Sequence, residues 1–421
     1  MMNAIFKRFL NRSIVTGRLE IVDPDGNRHI FGDGSGPPVR IRVTTTKAEL
    51  GLVLNPELKL GEAFTDGELI IEAGSIYGLL ELLFNNLSTT HPTWTAMVFA
   101  GSRYITRHLR QINTPLRARH NIARHYDLDG RLYSLFLDED MQYSCAYFEN
   151  DTESLEEAQL AKKRHLAAKL LLEPGQRILD IGSGWGGLGL YLAEHFDVDV
   201  TGITLSEEQL SVSNRRAEER GLSSRIRFRL EDYRKVHGPF DRIVSVGMFE
   251  HVGVAHYRKF FETCRDLLSV DGVMLVHSIG RFDRPADTNA WIQKYIFPGG
   301  YIPAMSEVVP AIERVGLKLT DVEILRLHYA KTLRAWRERF LANREQIAGL
   351  MDERFCRMWE FYLAVSEAGF RYQDLMNFQL QIARHQEAVP LTRDYISQAE
   401  AALRGAGRRG ATRAPLRIAG K

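Results

Sequence analysis

A chain of 421 residues is long enough for two domains, and its 44% hydrophobic and 26% charged content is ordinary globular chemistry. A formal net charge of +2 gives no global case for nucleic acid, and no apolar stretch reaches the roughly 18 residues of a membrane span. The three cysteines, Cys145, Cys264 and Cys356, are odd in number and far apart, which excludes a disulfide framework and a zinc spacing and points to the reducing cytoplasm.

In chain order, Met1 to Arg12 sets apolar and basic residues at helical spacing. That pattern reads either as a solvated face or as contact with anionic lipid. It does not read as a signal peptide, because its apolar run is short and broken by Lys7 and Arg8. Leu19 to Val22 reads as a strand entering the turn signal Asp23-Pro24-Asp25-Gly26-Asn27. Val39 to Val43 alternates as a strand, and Glu68 to Glu72 is another. Ile76 to Leu87 is a markedly apolar helix, suited to gripping a bilayer. Together these predict a small α+β domain without a catalytic motif. A basic, polar connector from about Arg110 to Asp129 places the domain boundary near residue 115, with domains at 1–115 and 116–400.

From Leu155 onward helix and strand alternate. Leu155 to Leu172 is a long helix. Strands are expected at Arg177 to Ile181, Val198 to Thr204, Ile226 to Leu230, Asp241 to Val246 and Gly272 to Ser278, with helices at Leu188 to Phe196 and Glu207 to Arg220. This alternation predicts a parallel sheet with helices on both faces and a ligand at the carboxyl ends of the strands. After Gly280 the pattern changes. Residues 284–310 are rich in Pro, Gly and aromatics, and Lys331 to about Arg384 reads as helical and aromatic-rich. Residues 401–421 form a basic tail, expected to be disordered, in which Arg404, Arg408, Arg409, Arg413, Arg417 and Lys421 meet no acid from Arg404 onward.

The most informative run is Arg177-Ile178-Leu179-Asp180-Ile181-Gly182-Ser183-Gly184-Trp185-Gly186-Gly187: buried strand, glycine turn, helix. Gly182, Gly184 and Gly187 match G-x-G-x-x-G, a weak dinucleotide signal on its own. Against a dinucleotide, Asp180 stands two residues before the first glycine, and the second strand ends in Thr204 rather than an acid. Gly238-Pro239-Phe240-Asp241 ahead of the fourth strand, and Leu267-Leu268-Ser269-Val270-Asp271-Gly272 ahead of the fifth, resemble class I methyltransferases. The resemblance implies S-adenosylmethionine, with Asp180 serving its amino-acid end. Thr204 and Gln209 would replace the usual ribose-binding acid, although Gln209 also reads as a plain helix-surface residue.

Glu250 lies just past the fourth strand and His277 at the end of the fifth, so topology brings both to one edge of the sheet. Cys145 lies in the aromatic run Met141 to Phe148. Taken singly, each also reads as a structural histidine, a helix cap and a packing cysteine. Gln142 to Phe148, Asp180 to Gly187, Gly202 to Gln209, Val246 to Gly253, His277 to Gly280 and Trp291 to Gly300, with Tyr329 and Trp336, together resemble the cyclopropane-fatty-acyl-phospholipid synthase family, whose relatives include mycolic acid cyclopropane synthases and fatty-acyl C-methyltransferases. The match covers about residues 120–390. The first 115 residues look like the N-terminal domain of the bacterial phospholipid enzymes.

This resemblance implies a class I methyltransferase fold: a Rossmann-like, mostly parallel seven-stranded α/β sheet with helical acyl-binding insertions, preceded by the small α+β domain. It implies transfer of a methyl carbon to the double bond of an unsaturated phospholipid acyl chain and ring closure by proton loss to bound bicarbonate. The bicarbonate holders would be the side chains of Glu250, His277 and Tyr329 and the backbone N–H groups of Cys145 and Ile279. The cofactor positions would be Tyr143, Ser144, Asp180, Gly182, Gly184, Trp185, Thr204, Gln209 and Tyr233; no metal is implied. Trp291 to Tyr301 and the helices from Lys331 onward would wall the acyl tunnel, unless these aromatics are ordinary core. The expected place is the cytoplasm, at the inner face of the cytoplasmic membrane; a homodimer is compatible with the sequence and not required by it. A branched methyl or methylene product is the alternative outcome of the same early chemistry.

Overall fold

The computed structural model describes residues 2–87 and 130–408; the connector, the boundary near residue 115 and residues 409–421 of the basic tail lie outside the described residues. The chain opens with helix α1 (Ala4–Ser13), capped by Asn3, whose side-chain oxygen accepts from the Ile5 and Phe6 N–H groups. Phe6 and Leu10 are 2% and 4% exposed, so the apolar stripe of α1 faces its own domain's core. Burying two such side chains stabilises by roughly 1.5–3 kcal/mol each. Strands β1 (Leu19–Val22), β2 (Arg28–Phe31) and β3 (Val39–Val43), helices α2 (Thr46–Leu54) and α3 (Pro56–Thr65), strand β4 (Leu69–Ala73) and helix α4 (Ile76–Leu87) follow. The sheet order is β2-β1-β3-β4, with β1 and β3 parallel and both outer pairs antiparallel. The turn after β1 is held by Asp23, whose Oδ1 accepts from the Asp25 and Asn27 N–H groups.

The described chain resumes with α5 (Gly130–Ser134) and α6 (Leu155–Leu170), which starts at a reciprocal cap between Ser154 and Glu157. Then come β5 (Arg177–Ile181), α7 (Gly187–His195), β6 (Asp199–Thr204), α8 (Glu207–Glu219), β7 (Ile226–Leu230), β8 (Phe240–Val246), α9 (Tyr257–Leu267) and β9 (Leu268–Arg281). The last part is α10 (Ala290–Tyr295), α11 (Met305–Arg314), β10 (Lys318–Ile324), α12 (His328–Ala342), α13 (Arg344–Leu350), α14 (Glu353–Tyr372), β11 (Leu375–Ala383) and α15 (Asp394–Arg408). These strands form one seven-stranded sheet in the order β10-β11-β9-β8-β5-β6-β7. β5 pairs in parallel with β6 and β8, β6 with β7, and β8 with β9, while β10 and β11 are antiparallel. Apolar cores lie against the sheet: one gathers Leu179, Ile243, Phe260, Met274 and Phe378, another Ile178, Leu190, Val200 and Leu275.

Two expectations are corrected. Residues 375–383, read as the end of a helical stretch, form β11 and are buried along both faces from Met376 onward. The physical reason is that apolar Met376, Phe378, Leu380 and Ile382 alternate with Asn377, Gln379 and Gln381, and the amides find buried partners, so a polar face need not be a solvent face. The tail is helical as far as Arg408, where disorder was expected from residue 401.

The described residues fall into two compact units. The first takes in Met1–Arg110, Ala286–Pro298 and Ala330–Leu375, and the second Gln111–Pro285, Gly299–Tyr329 and Met376–Lys421. Within the first unit, α14 packs on α3 and α4, and α10 on α3. The Trp291 and Phe361 rings meet edge to face at 4.7 Å, and a Cβ on Gly61 would fall 2.5 Å from the Trp291 ring. Trp291, Trp336 and Trp359 are fully enclosed. Among the described residues, no helix is long and apolar enough to cross a membrane.

Candidate active site

Strand β5 ends in Asp180 and Ile181, and the chain turns at once through Gly182 and Gly184, at φ +82° and +56°. Both lie in the left-handed region that favours glycine. A Cβ on Gly182 would come 2.9 Å from Met248, whereas one on Gly184 would meet nothing within 4 Å, so Gly184 is bare towards open space. That space is a cleft of about 1220 Å³, part of it open to solvent, at the carboxyl ends of β5, β6 and β8.

Tyr143, Ser144, Asp180, Gly182, Gly184, Trp185, Thr204, Gln209 and Tyr233 all line this cleft. Thr204 and Gln209 are each 5% exposed, and the Thr204 hydroxyl donates to Gln209 Oε1 at 2.8 Å. The surface reading of Gln209 therefore fails: helix α8 turns it inwards. Trp185 donates its indole N–H to Glu208 at 3.1 Å, and its ring lies 4.8 Å from Tyr133. Tyr233 stands edge-on to Phe260 at 5.3 Å, and burial pushes its hydroxyl pKa up. Asp180 is 2% exposed, its Oδ2 has no hydrogen-bond partner, and burial pushes its pKa up to about 7. A buried carboxyl with an unpartnered oxygen at the mouth of a glycine turn fits an ammonium group of a ligand.

Asp140 clamps this rim. It pairs with Lys163 at 2.6 Å and with Arg216, which also donates to the Trp185 carbonyl at 2.7 Å. The clamp ties the segment before Tyr143 to the glycine turn. Sequence reading missed it, because a charged residue on a helix reads as solvated.

A second group lies at β9 and the short turn Phe249–His251. Glu250 is 9% exposed; its Oε1 accepts from the Ile279 N–H at 2.6 Å, and its Oε2 is buried without a partner. Burial raises its pKa to about 7, the Ile279 hydrogen bond opposing. The Ile279 N–H is thus already engaged by Glu250. His277 is 1% exposed. Lys169 donates to Gln379 Oε1 at 2.9 Å, which leaves the Gln379 NH2 to donate to His277 Nδ1 at 3.1 Å. Nδ1 accepts, so the ring proton sits on Nε2. Burial, helped by the Lys162 and Lys169 charges, holds the His277 pKa well below the usual imidazole range, and the ring is neutral. Lys169 is anchored in turn to Glu323, which also meets His165 at 2.7 Å. Cys145 is buried and forms no disulfide, with its Sγ 3.3 Å from the Ala146 carbonyl. Tyr329 is buried beside His328, which stacks on Tyr147 at 5.0 Å and accepts from the Phe148 N–H at 2.9 Å. The missed partners Asn377 and Gln379 lie on β11, where the period-two alternation of residues 376–382 was the available signal.

Residues 114–380 match the family model described as mycolic acid cyclopropane synthetase. The cyclopropane-fatty-acyl-phospholipid synthase of Escherichia coli (strain K12) is 43% identical over 260 residues, covering 62% of this chain and 66% of that protein, just under two thirds of its length. Tuberculostearic acid methyltransferase UfaA1 of Mycobacterium tuberculosis is 35% identical over 402 residues, covering 90% of this chain and 91% of that protein. The crystal structure of mycolic acid cyclopropane synthase CmaA1 complexed with SAH and CTAB has a TM-score of 0.60 and 35% identity, and covers 63% of this chain and 98% of that one. On the strength of the match over residues 114–380, which spans more than half of its residues, the chain belongs to the mycolic acid cyclopropane synthetase family, a family of S-adenosylmethionine-dependent C-methyltransferases with the class I fold.

Proposed function

We propose that this protein transfers the methyl carbon of S-adenosylmethionine to the cis double bond of an unsaturated phospholipid acyl chain and closes a cyclopropane ring. The observation that carries this reading is the burial of Glu250, just past β8, and of His277, on the neighbouring β9, beside a glycine-turn cleft. An alkene needs no base to attack, but the product cation must lose a proton, and the pair can hold an acceptor for it.

When bound, S-adenosylmethionine supplies an electrophilic methyl on sulfur, and bicarbonate supplies a proton acceptor. Asp180, with its unpartnered Oδ2, suits the amino-acid end of the cofactor, and Thr204 with Gln209 suits its hydroxyl groups. Near neutral pH the Glu250 carboxyl carries a proton for much of the time, so its unpartnered Oε2 can donate, as can His277 Nε2 in place of its 3.5 Å contact with the Asn377 amide. Two donors in a dry site fit an oxyanion and remove the like-charge objection to placing one beside a glutamate. Tyr329 and the Cys145 N–H complete the proposed holders.

An acyl substrate of this kind would hold the protein at the inner face of the cytoplasmic membrane; the apolar faces of α1 and α4, read from sequence as lipid contacts, are buried within their own unit and do not serve that purpose. A second reading is favoured by one observation: the relative aligned over 90% of this chain is named a methyltransferase, not a cyclopropane synthase. A methyl-branched or methylene product would follow from proton loss at another carbon. Mass spectrometry of lipids from cells with and without the gene decides between them. The expected product is an acyl chain one CH2 heavier, with a ring and no alkene; a retained alkene or a branch overturns the ring.

A further inference from the structure

Helix α6 buries three lysines, and two of them are paired: Lys163 with Asp140 and Lys169 with Glu323. The third, Lys162, is 0% exposed and lines the cleft beside Ser144. Its Nζ donates to the Ser144 hydroxyl at 2.7 Å. That partner is neutral, so the ammonium has no contact ion pair and two of its three N–H groups are uncommitted. Among the described residues, no carboxylate oxygen lies within 4.0 Å of Nζ. Asp138 attracts it from beyond that distance, while the Asp138 oxygens accept from the N–H groups of Asp140 at 3.1 Å and Gln142 at 2.8 Å rather than from Lys162. A wholly buried, unpaired ammonium is costly and marks a place for an anion.

The surroundings indicate which anion. Ser144, which Lys162 holds, precedes Cys145 in the chain; a Cβ on Gly247 would fall 3.8 Å from the Ser144 Cβ, and the Gly247 N–H donates to the His277 carbonyl at 2.9 Å, so Lys162 stands close to the end of the cleft nearest His277. We infer that Lys162 is the counter-charge for the proton-accepting oxyanion held by Glu250 and His277. This rests on the bicarbonate reading above and supplies what that site otherwise lacks. His277 is neutral and cannot balance an anion. Lys162 can, and the neutral pair so formed would not oppose positive charge developing on the acyl chain.

The test uses the full chain with S-adenosylhomocysteine bound and a titration with ¹³C-bicarbonate followed by NMR. Lys162→Met, close in shape, should weaken bicarbonate binding about tenfold or more. Its unfolding midpoint should stay level or rise, because removing an unpaired buried charge relieves the fold. Lys162→Gln, which keeps a donor for Ser144, should weaken bicarbonate similarly, and S-adenosylhomocysteine affinity should change little in either variant. Unchanged bicarbonate affinity in both variants overturns the inference. So does a loss of S-adenosylhomocysteine affinity with bicarbonate intact, which would assign Lys162 to the cofactor's carboxylate. If the wild type binds no bicarbonate, the acceptor assignment fails first and takes this inference with it.

Discussion

Two carboxyls in this site share a cause and differ in consequence. Asp180 and Glu250 are both pushed to about 7 by burial, yet Glu250 keeps a backbone donor on one oxygen while Asp180 faces the cleft. Glu250→Gln should therefore lower turnover by roughly 10²–10⁴-fold while S-adenosylmethionine affinity, read by calorimetry, stays within a few-fold; equal losses would mark Glu250 as structural. For Asp180 the readout is stability against pH in ligand-free protein. The native carboxyl keeps its proton to about pH 7, whereas the unfolded one loses it near 3.8. Between those values the native state binds more protons, so its stability falls as pH rises through the window and is level above it. Asp180→Asn should remove Asp180's share of that fall, roughly 4 kcal/mol at most, and leave the share of Glu250; urea melts at about pH 4, 5.5 and 7.5 check it. His277 was expected at the end of its strand but lies inside β9, which runs on to Arg281. Asp180 and the glycines were legible because they sit at the end of β5, and Glu250 because it follows β8 closely, where topology alone assigns a neighbourhood. Lys162, Lys169 and Gln379 were not, since a lysine on a helix is almost always a solvated one.

Strands β5 to β8 were legible within a residue or two, because each is a short apolar run between turn signals. β11 was not. It follows the aromatic helix α14 after a left-handed Asp374, and its amides at positions 377, 379 and 381 mimic a polar face. Only the partners across from it, His277 and the Lys169 side chain, show that the face is buried. That makes β11 a positioning strand for the histidine. Gln379→Met, similar in volume, removes the donor to Nδ1 and leaves Lys169 without one acceptor, so stability should drop by about 1–3 kcal/mol. The ¹⁵N shifts of His277 should lose their fixed pattern of protonated Nε2 and bare Nδ1. Unaltered shifts would mean that the tautomer is set elsewhere.

Across the whole molecule, the first unit is assembled from three stretches of chain, and the second likewise. In the first, the aromatic faces of α14 and α10 are covered by α3 and α4. Deleting residues 1–87 should uncover Phe361 and Trp291 and yield aggregated protein, seen by size-exclusion chromatography; a soluble, cooperatively melting remainder would show that the later stretches fold without their cover. Sequence reading placed a boundary by composition, but composition cannot show that helices far along the chain complete the core of the first unit. Nor could it show which way α1 turns its apolar stripe.

The chain's two returns to the first unit also set a timetable for biogenesis. The opening strands leave the ribosome with part of their hydrophobic cover still untranslated, and the last of it, ending at Leu375, arrives only tens of seconds later at roughly 5–20 residues per second. During that interval the nascent polypeptide displays greasy surface to its surroundings, so a cell making much of this enzyme should depend on holding chaperones, and slowing translation should prolong that exposure.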